Sequence, residues 1–249
     1  MINEYIAVDV ETTGLSPERD RLLEIGAVHV QDGKVIKTFG TLIDTDMPVP
    51  LRIQELTGIT DEMRKSGVPV REAVRGFLKF RGTLPIVGHN IPFDFGFLKE
   101  AAVREKLDFE AEALDTLKIA RRTLPYMPSK SLSALCAFYR IPSGNAHRAQ
   151  DDALAAHKLL WRMWEESGQR DPDAFALQKM VYTVKKQSPI TNRQKGYLND
   201  LLKYHRIKTD VCIDNMTKSE ASRMIDHIIL QHGKILKRQI EREGRNEFL

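Results

Sequence analysis

The chain has 249 residues, 38 of them basic and 34 acidic, for a formal net charge of +4; 42% are apolar, 7% aromatic and two are cysteine. That length makes one large domain or two unequal ones, with core enough to fold without a disulfide or metal staple, and the ordinary apolar content excludes wholesale disorder. No apolar run approaches the roughly 20 residues of a membrane helix, Cys136 and Cys212 form no CxxC pair, and Met1-Ile2-Asn3-Glu4 does not start a signal peptide, so a cytoplasmic protein without zinc, disulfides or membrane attachment is expected.

Tyr5–Val10, Leu22–Val30 and Val35–Ile43 read as three strands. Asp32-Gly33 between the second and third is a hairpin signal, so an antiparallel start is expected. Val70–Phe80 is amphipathic and predicts a helix; Leu84–Val87 is a short strand ended by Gly88. Pro92–Arg104 is helical, with Pro92 suited to its first turn. Ala113-Leu114 is a short buried strand, after which Asp115 can cap a helix over Thr116–Arg122. Ser131–Tyr139 is a further helix, and the last helix of this body runs from about Ala149 to Glu166, ending near Gly168.

Gln169–Pro189 loses clear periodicity. The expected organisation is a body of residues 1–168, a linker of 169–188 and a small module of 189–249. In the module, Thr191 or Asn192 caps a helix over Arg193–His205. Thr217-Lys218-Ser219-Glu220 is a capping box opening a second helix, with Ala221, Met224, Ile225, Ile228 and Ile229 on one face and Gly233 at its end. Lys234–Leu249 is basic and amphipathic and predicts a third. Residues 1–184 sum to −2 and residues 185–249 to +6. A basic end on a near-neutral body points to a polyanion such as nucleic acid, through Arg193, Lys195, Lys203, Arg206, Lys208, Lys234, Lys237 and Arg238. A solvated helical bundle serving protein contacts is the alternative.

The acidic residues of the body carry the chemistry. Asp9 and Glu11 lie two apart on the first strand, so they share one face with Tyr5 and Ala7, while Ile6, Val8 and Val10 take the other. Two adjacent carboxylates on a buried strand repel each other and lose hydration. A divalent cation is the simplest partner, and carboxylate oxygens suit magnesium or manganese. Asp94 sits in the first turn of its helix, on the inward stripe with Phe97, Leu98 and Ala101. Asp152 starts the last helix of the body and faces inward with Ala156, Leu159, Leu160 and Met163, whereas Asp151 leans to solvent. His147 lies five residues before Asp152, in the turn that precedes the helix.

These residues resemble a known family. Val8-Asp9-Val10-Glu11-Thr12-Thr13-Gly14-Leu15 is similar to the first motif of the DEDD exonucleases, Gly88-His89-Asn90 with Phe93-Asp94 to the second, and His147-Arg148-Ala149-Gln150-Asp151-Asp152 to the third in its HxAxxD form. That form marks the histidine, DnaQ-like subfamily of 3′→5′ exonucleases. Arg148 stands where the tyrosine subfamily would need Tyr. The resemblance spans about residues 3 to 166.

The resemblance implies a ribonuclease H-like α/β fold, a mixed sheet flanked by helices. The implied reaction is hydrolysis of the terminal phosphodiester at a 3′ end, releasing nucleoside 5′-monophosphates. Asp9, Glu11, Asp94 and Asp152 would hold two magnesium or manganese ions, with Asp9 bridging, and His147 would be the general base. Thr12, Gly14 and Leu15 would meet the terminal nucleotide, Leu15 as an apolar wedge. Leu56 and Thr57 would close over its sugar, and His89 and Phe93 would touch sugar or phosphate; ordinary packing is the competing role for Leu15, Leu56 and Phe93. The partner is DNA with a free 3′ end, single-stranded or frayed, in proofreading or repair beside a polymerase or another replication protein. RNA-directed hydrolysis on the same scaffold and a replisome-binding module with weak chemistry are the alternatives. Glu24, Asp115 and Tyr139 are assigned to structure.

Overall fold

The computed structural model describes residues 2–142, 148–184, 188–209 and 211–235. Three long strands open the chain: β1 (Glu4–Thr12), β2 (Leu22–Gln31) and β3 (Lys34–Asp44). They pair antiparallel in sequence order. The turn between β2 and β3 puts Asp32 at φ 49° and Gly33 at φ 76°. A two-residue hairpin needs two such left-handed residues, which is why the dipeptide there is Asp-Gly.

Next come α1 (Leu51–Thr57), α2 (Asp61–Lys65) and the two-residue β4 (Val68–Pro69). None is expected from the sequence, because a helix of one or two turns is too short for its apolar spacing to register. From there the observed order follows the expectation. It is α3 (Val70–Arg81), β5 (Ile86–Gly88), α4 (Ile91–Arg104), β6 (Glu112–Asp115), α5 (Thr116–Thr123), α6 (Leu132–Phe138) and α7 (Ala149–Ser167). Asp115 caps α5 by accepting from the Leu117 N–H, and Ser131 caps α6 by accepting from the Ala134 N–H.

With β7 (Gln178–Lys179) the sheet runs β4-β3-β2-β1-β5-β6-β7. β5 lies parallel to β1 and β6 parallel to β5, so the sheet is mixed and helices cover both faces. Strand alternation divides the core in two. Ile6, Val8 and Val10 pack with Phe77 of α3 and Phe95 and Leu98 of α4. Tyr5 and Ala7 pack with Ile119 of α5, Leu135 of α6 and Leu159, Leu160 and Met163 of α7. Tyr5 also bonds through this layer: the Trp161 indole donates to its hydroxyl at 3.0 Å, and the hydroxyl lies 2.8 Å from His157 Nδ1.

The body extends past the expected boundary at residue 168. A 3₁₀ turn at Pro172–Phe175 seats the Phe175 ring 5.1 Å from that of Trp164. β7 pairs antiparallel with β6, and the Met180 N–H donates to the Ala111 carbonyl at 2.9 Å. The first compact unit therefore runs to Val184, and residues 169–184 are not linker. Single anchors such as Phe175 hold this segment, so it carries no periodic signal.

The second unit, from Lys185, has α8 (Asn192–Tyr204) and α9 (Lys218–His232). Thr191 with Gln194, and Thr217 with Glu220, form reciprocal capping boxes. Leu198, Leu201 and Leu202 pack on Met216, Ile225 and Ile228. The expected third helix falls almost wholly at 236–249, outside the described residues, as do Lys237 and Arg238. Among the described residues no helix is long and apolar enough to cross a membrane.

Candidate active site

The site gathers where β1 ends and two helices begin. Strand period carries Asp9 and Glu11 out of the α7-side core on the same face as Tyr5 and Ala7. β5, parallel to β1, stops at Gly88, and Asn90 turns the chain into α4 at φ 66°. A short polar side chain tolerates this left-handed geometry. The turn brings Asp94 under the end of β1, where its buried Oδ1 accepts from the Val10 N–H at 3.0 Å. The first turn of α7 brings Asp152.

Asp9, Glu11 and Asp152 each offer a carboxylate oxygen within 4.8 Å of the others. Asp94 stands beside this trio. Burial, then the charges of Asp94, Asp152 and Glu11, pushes the Asp9 carboxyl well above the usual range. Burial, then Asp152, Glu24 and Asp94, pushes Glu11 up to about 8. Burial raises Asp94 likewise. Such a cluster is unfavourable as four bare anions, and hard oxygen donors at this spacing fit divalent cations. Asp9 is the shared neighbour of the other three.

The cluster opens into a cavity of about 310 Å³. Asp9, Glu11, His89, Phe93, Asp94 and Asp152 line it, together with Ser131, Leu132, Ser133 and Cys136 of the α6 segment. The α6 wall is the part that sequence reasoning missed, since nothing in its pattern separates it from ordinary helix packing. His89 is held on both ring nitrogens: Nε2 donates to the Lys130 carbonyl at 2.9 Å, and Nδ1 lies 2.9 Å from Thr116 Oγ1. Burial lowers its pKa. Its polar atoms are thus engaged within the fold, and it joins β5, α5 and α6 at the cavity wall.

Glu24 of β2, opposite Glu11 in the strand register, positions the third motif. It is buried, and its carboxylate accepts from Arg148 Nη2 at 2.9 Å, Arg148 Nε at 3.2 Å and the Ala149 N–H at 3.3 Å. Two residues along β2, on the same face, Gly26 lets α7 lie directly on the sheet. A Cβ there would meet the Gln150 nitrogen at 2.0 Å. The signal for Glu24 was present in the sequence: a carboxylate inside the apolar run Leu22–Val30, on the face turned to α7.

The remaining expected contacts lie outside the cavity lining. Thr12 donates to the Gly14 carbonyl at 2.6 Å, and Asp20 covers Gly14. Leu15 is 85% exposed. Leu56 is 52% exposed at the end of α1, whereas Thr57 is buried, donating to the Ile53 carbonyl and accepting from the Ile59 N–H. His147 lies outside the described residues.

The family model described as Exonuclease (RNase_T) matches residues 6–160, the stretch that contains all four carboxylates. The chain belongs to this exonuclease family, and its first unit has the ribonuclease H-like fold expected for it. A PolC-type DNA polymerase III of Clostridium perfringens is 35% identical over 158 residues, which are 64% of this chain and 11% of the polymerase. The 3′-5′ exonuclease DinG of Staphylococcus epidermidis is 34% identical over 186 residues, 74% of this chain and 20% of DinG. The chain thus spans between about a tenth and a fifth of these relatives. The solved structure of exonuclease X in complex with 5′ overhanging duplex DNA is 27% identical with a TM-score of 0.54, covering 66% of this chain and 93% of that one.

Proposed function

We propose that this protein hydrolyses the terminal phosphodiester at the 3′ end of DNA and releases nucleoside 5′-monophosphates. The observation that carries the reading is the Asp9–Glu11–Asp152 convergence beside Asp94, at the wall of an open cavity. The names of the relatives support the polarity, since DinG is a 3′-5′ exonuclease, and the substrate, since exonuclease X was solved on DNA. The PolC-type match supports work in proofreading or repair, beside a polymerase or another replication protein.

Asp9, Glu11, Asp94 and Asp152 would hold two divalent ions, magnesium or manganese, with Asp9 shared between them. Bound there, the ions supply charge neutralisation at the phosphate and a more acidic water. The residues of the chain do the rest. His147, five residues before Asp152, takes the proton of the attacking water, a task suited to an imidazole of pKa about 6.5. Glu24 and Arg148 hold the start of the helix that carries Asp152. Phe93 and His89 form the cavity side against which the terminal nucleotide rests. Exposed Leu15 packs against its base, next to the backbone of Thr12 and Gly14, and Leu56 and Thr57 flank the sugar.

The test is a purified-protein assay in magnesium on matched DNA and RNA oligonucleotides labelled at either end. Mononucleotides released stepwise from the 3′ end of DNA are expected. Faster release from RNA moves the substrate to RNA, and no release from either defeats the reading. Full activity in Asp9→Asn or Asp152→Asn would remove the site assignment.

A further inference from the structure

The net charge of the body conceals a segregation. Residues 116–142 contain Lys118, Arg121, Arg122, Lys130 and Arg140 and no acidic residue. The same stretch supplies the α6 wall of the cavity. The α6 wall of the cavity therefore belongs to a stretch of chain that carries cations and no carboxylate.

Two of these cations are held by side chains outside the stretch, and Lys130 Nζ donates to the Met127 carbonyl within it at 2.7 Å. Arg122 pairs with Asp171, and Lys118 donates to Gln178 Oε1 at 2.7 Å. Arg121 and Lys130 pair with no carboxylate among the described residues. Both are carried by elements that reach the cavity wall. The Lys130 carbonyl accepts from His89, and Ser131 after it lines the wall. Arg121 is exposed on α5, the helix whose first residue, Thr116, lies 2.9 Å from His89 Nδ1 at the cavity wall. Between them in the chain stands Tyr126, 63% exposed, with its ring 6.4 Å from that of exposed Phe138. Cations beside uncovered aromatic faces are the combination that tracks a single strand: phosphates meet the charges and bases stack on the rings.

We propose that the α5–α6 surface leads a single nucleic-acid strand to the cavity, with Arg121 and Lys130 holding phosphates upstream of the one that reacts. This rests on the exonuclease reading and adds the route by which substrate arrives. The run of five cations without a carboxylate in residues 116–142 is the physical reason the route lies here, since phosphates are drawn to it and not repelled.

The test separates binding from hydrolysis. Affinity of the full chain for a fluorescent eight-nucleotide oligo-dT is measured by anisotropy in calcium, over a range of salt. Arg121→Ala with Lys130→Ala should weaken binding at low salt by roughly tenfold or more and reduce the slope of log affinity against log salt by about 1.4, the value for two single-strand phosphate contacts. Arg121→Lys with Lys130→Arg should restore the slope, which excludes loss of folding as the cause. Wild-type affinity and slope in the alanine variant would overturn the route. Absence of mononucleotide release by the wild type in magnesium would instead overturn the exonuclease reading, whatever the binding result.

Discussion

Glu24 in β2 holds the start of α7, its Oε1 accepting from Arg148 Nη2 at 2.9 Å and its Oε2 from the Ala149 N–H at 3.3 Å. A carboxylate on the second strand thereby fixes the segment in which Asp152 sits. Losing one partner of a buried pair costs about 3–5 kcal/mol, but Arg148 is partly exposed, so about 1–2 kcal/mol is expected for Glu24→Ala. In a chain of this size that lowers the melting temperature by roughly 2–8 °C. Turnover should fall further, by about 10- to 100-fold, because a displaced α7 misplaces the carboxylate it carries. Calorimetry with a kcat measurement checks both, and a variant that loses stability but keeps kcat would limit Glu24 to a structural role.

The raised carboxyl groups make stability depend on pH in a defined direction. Burial and its acidic neighbours push Glu11 up to about 8 in the folded chain, against an ordinary 4.5, and Asp9 and Asp94 are shifted the same way. Between those values the folded state binds more protons than the unfolded state, so stability falls as pH rises. In chelator, the melting temperature should decline from pH 5 to pH 8.5, and Glu11→Gln should flatten the decline. Magnesium should raise it more at pH 8 than at pH 5.5, since the cation must displace protons. Thermal melts across pH, with and without metal, provide the measurement; a metal-free protein that gains stability with pH would contradict the cluster.

Asp9→Asn and Asp152→Asn should separate stability from activity. Each removes a charge from a crowded cluster, so the metal-free variant should melt at least as high as the wild type. Each also removes a metal-holding oxygen, so magnesium-dependent hydrolysis should fall by about a thousandfold or more. Paired melting and product-release assays decide it, and a destabilised, active variant is the contrary result.

Gly26→Ala tests the contact between α7 and the sheet. The added Cβ would fall on backbone atoms of Gln150 and Ala149, and backbone has no rotamer with which to move aside. Weaker metal binding and lower kcat are expected even where folding survives, read by calorimetric titration with magnesium. Tyr5→Phe is the comparison: it leaves Trp161 Nε1 and His157 Nδ1 without this shared partner, costing about 1–3 kcal/mol, while the carboxylates stay in place.

Deleting residues 185–249 removes a net charge of +6 and leaves the first unit, which runs to Val184. Hydrolysis of short oligonucleotides should persist. Affinity for long strands and its salt dependence should both decrease, as fewer phosphates are neutralised. Equal salt slopes with and without the module would assign it to protein contacts.

Local pattern was enough for much of this molecule. Strand alternation in Tyr5–Val10 put Asp9 and Glu11 on one face, Asp32-Gly33 placed a hairpin, and Asp115, Ser131, Thr191 and Thr217 announced helix starts, because these features depend on neighbours within a few residues. The long-range relationships were different. That Asp94 would reach the Val10 N–H, that Glu24 would clamp Arg148 across 124 positions and that α6 would wall the cavity are consequences of packing between distant segments. So is the attachment of residues 169–184, whose anchors Phe175 and Met180 have no period to betray them. The sequence by itself determined which carboxylates exist and which way each faces on its own element. Only the tertiary structure decided that three of them meet, that the fourth is buried beside them, and that the cationic stretch of residues 116–142 walls the cavity, because burial and the distances between charges exist only once strand and helix are packed.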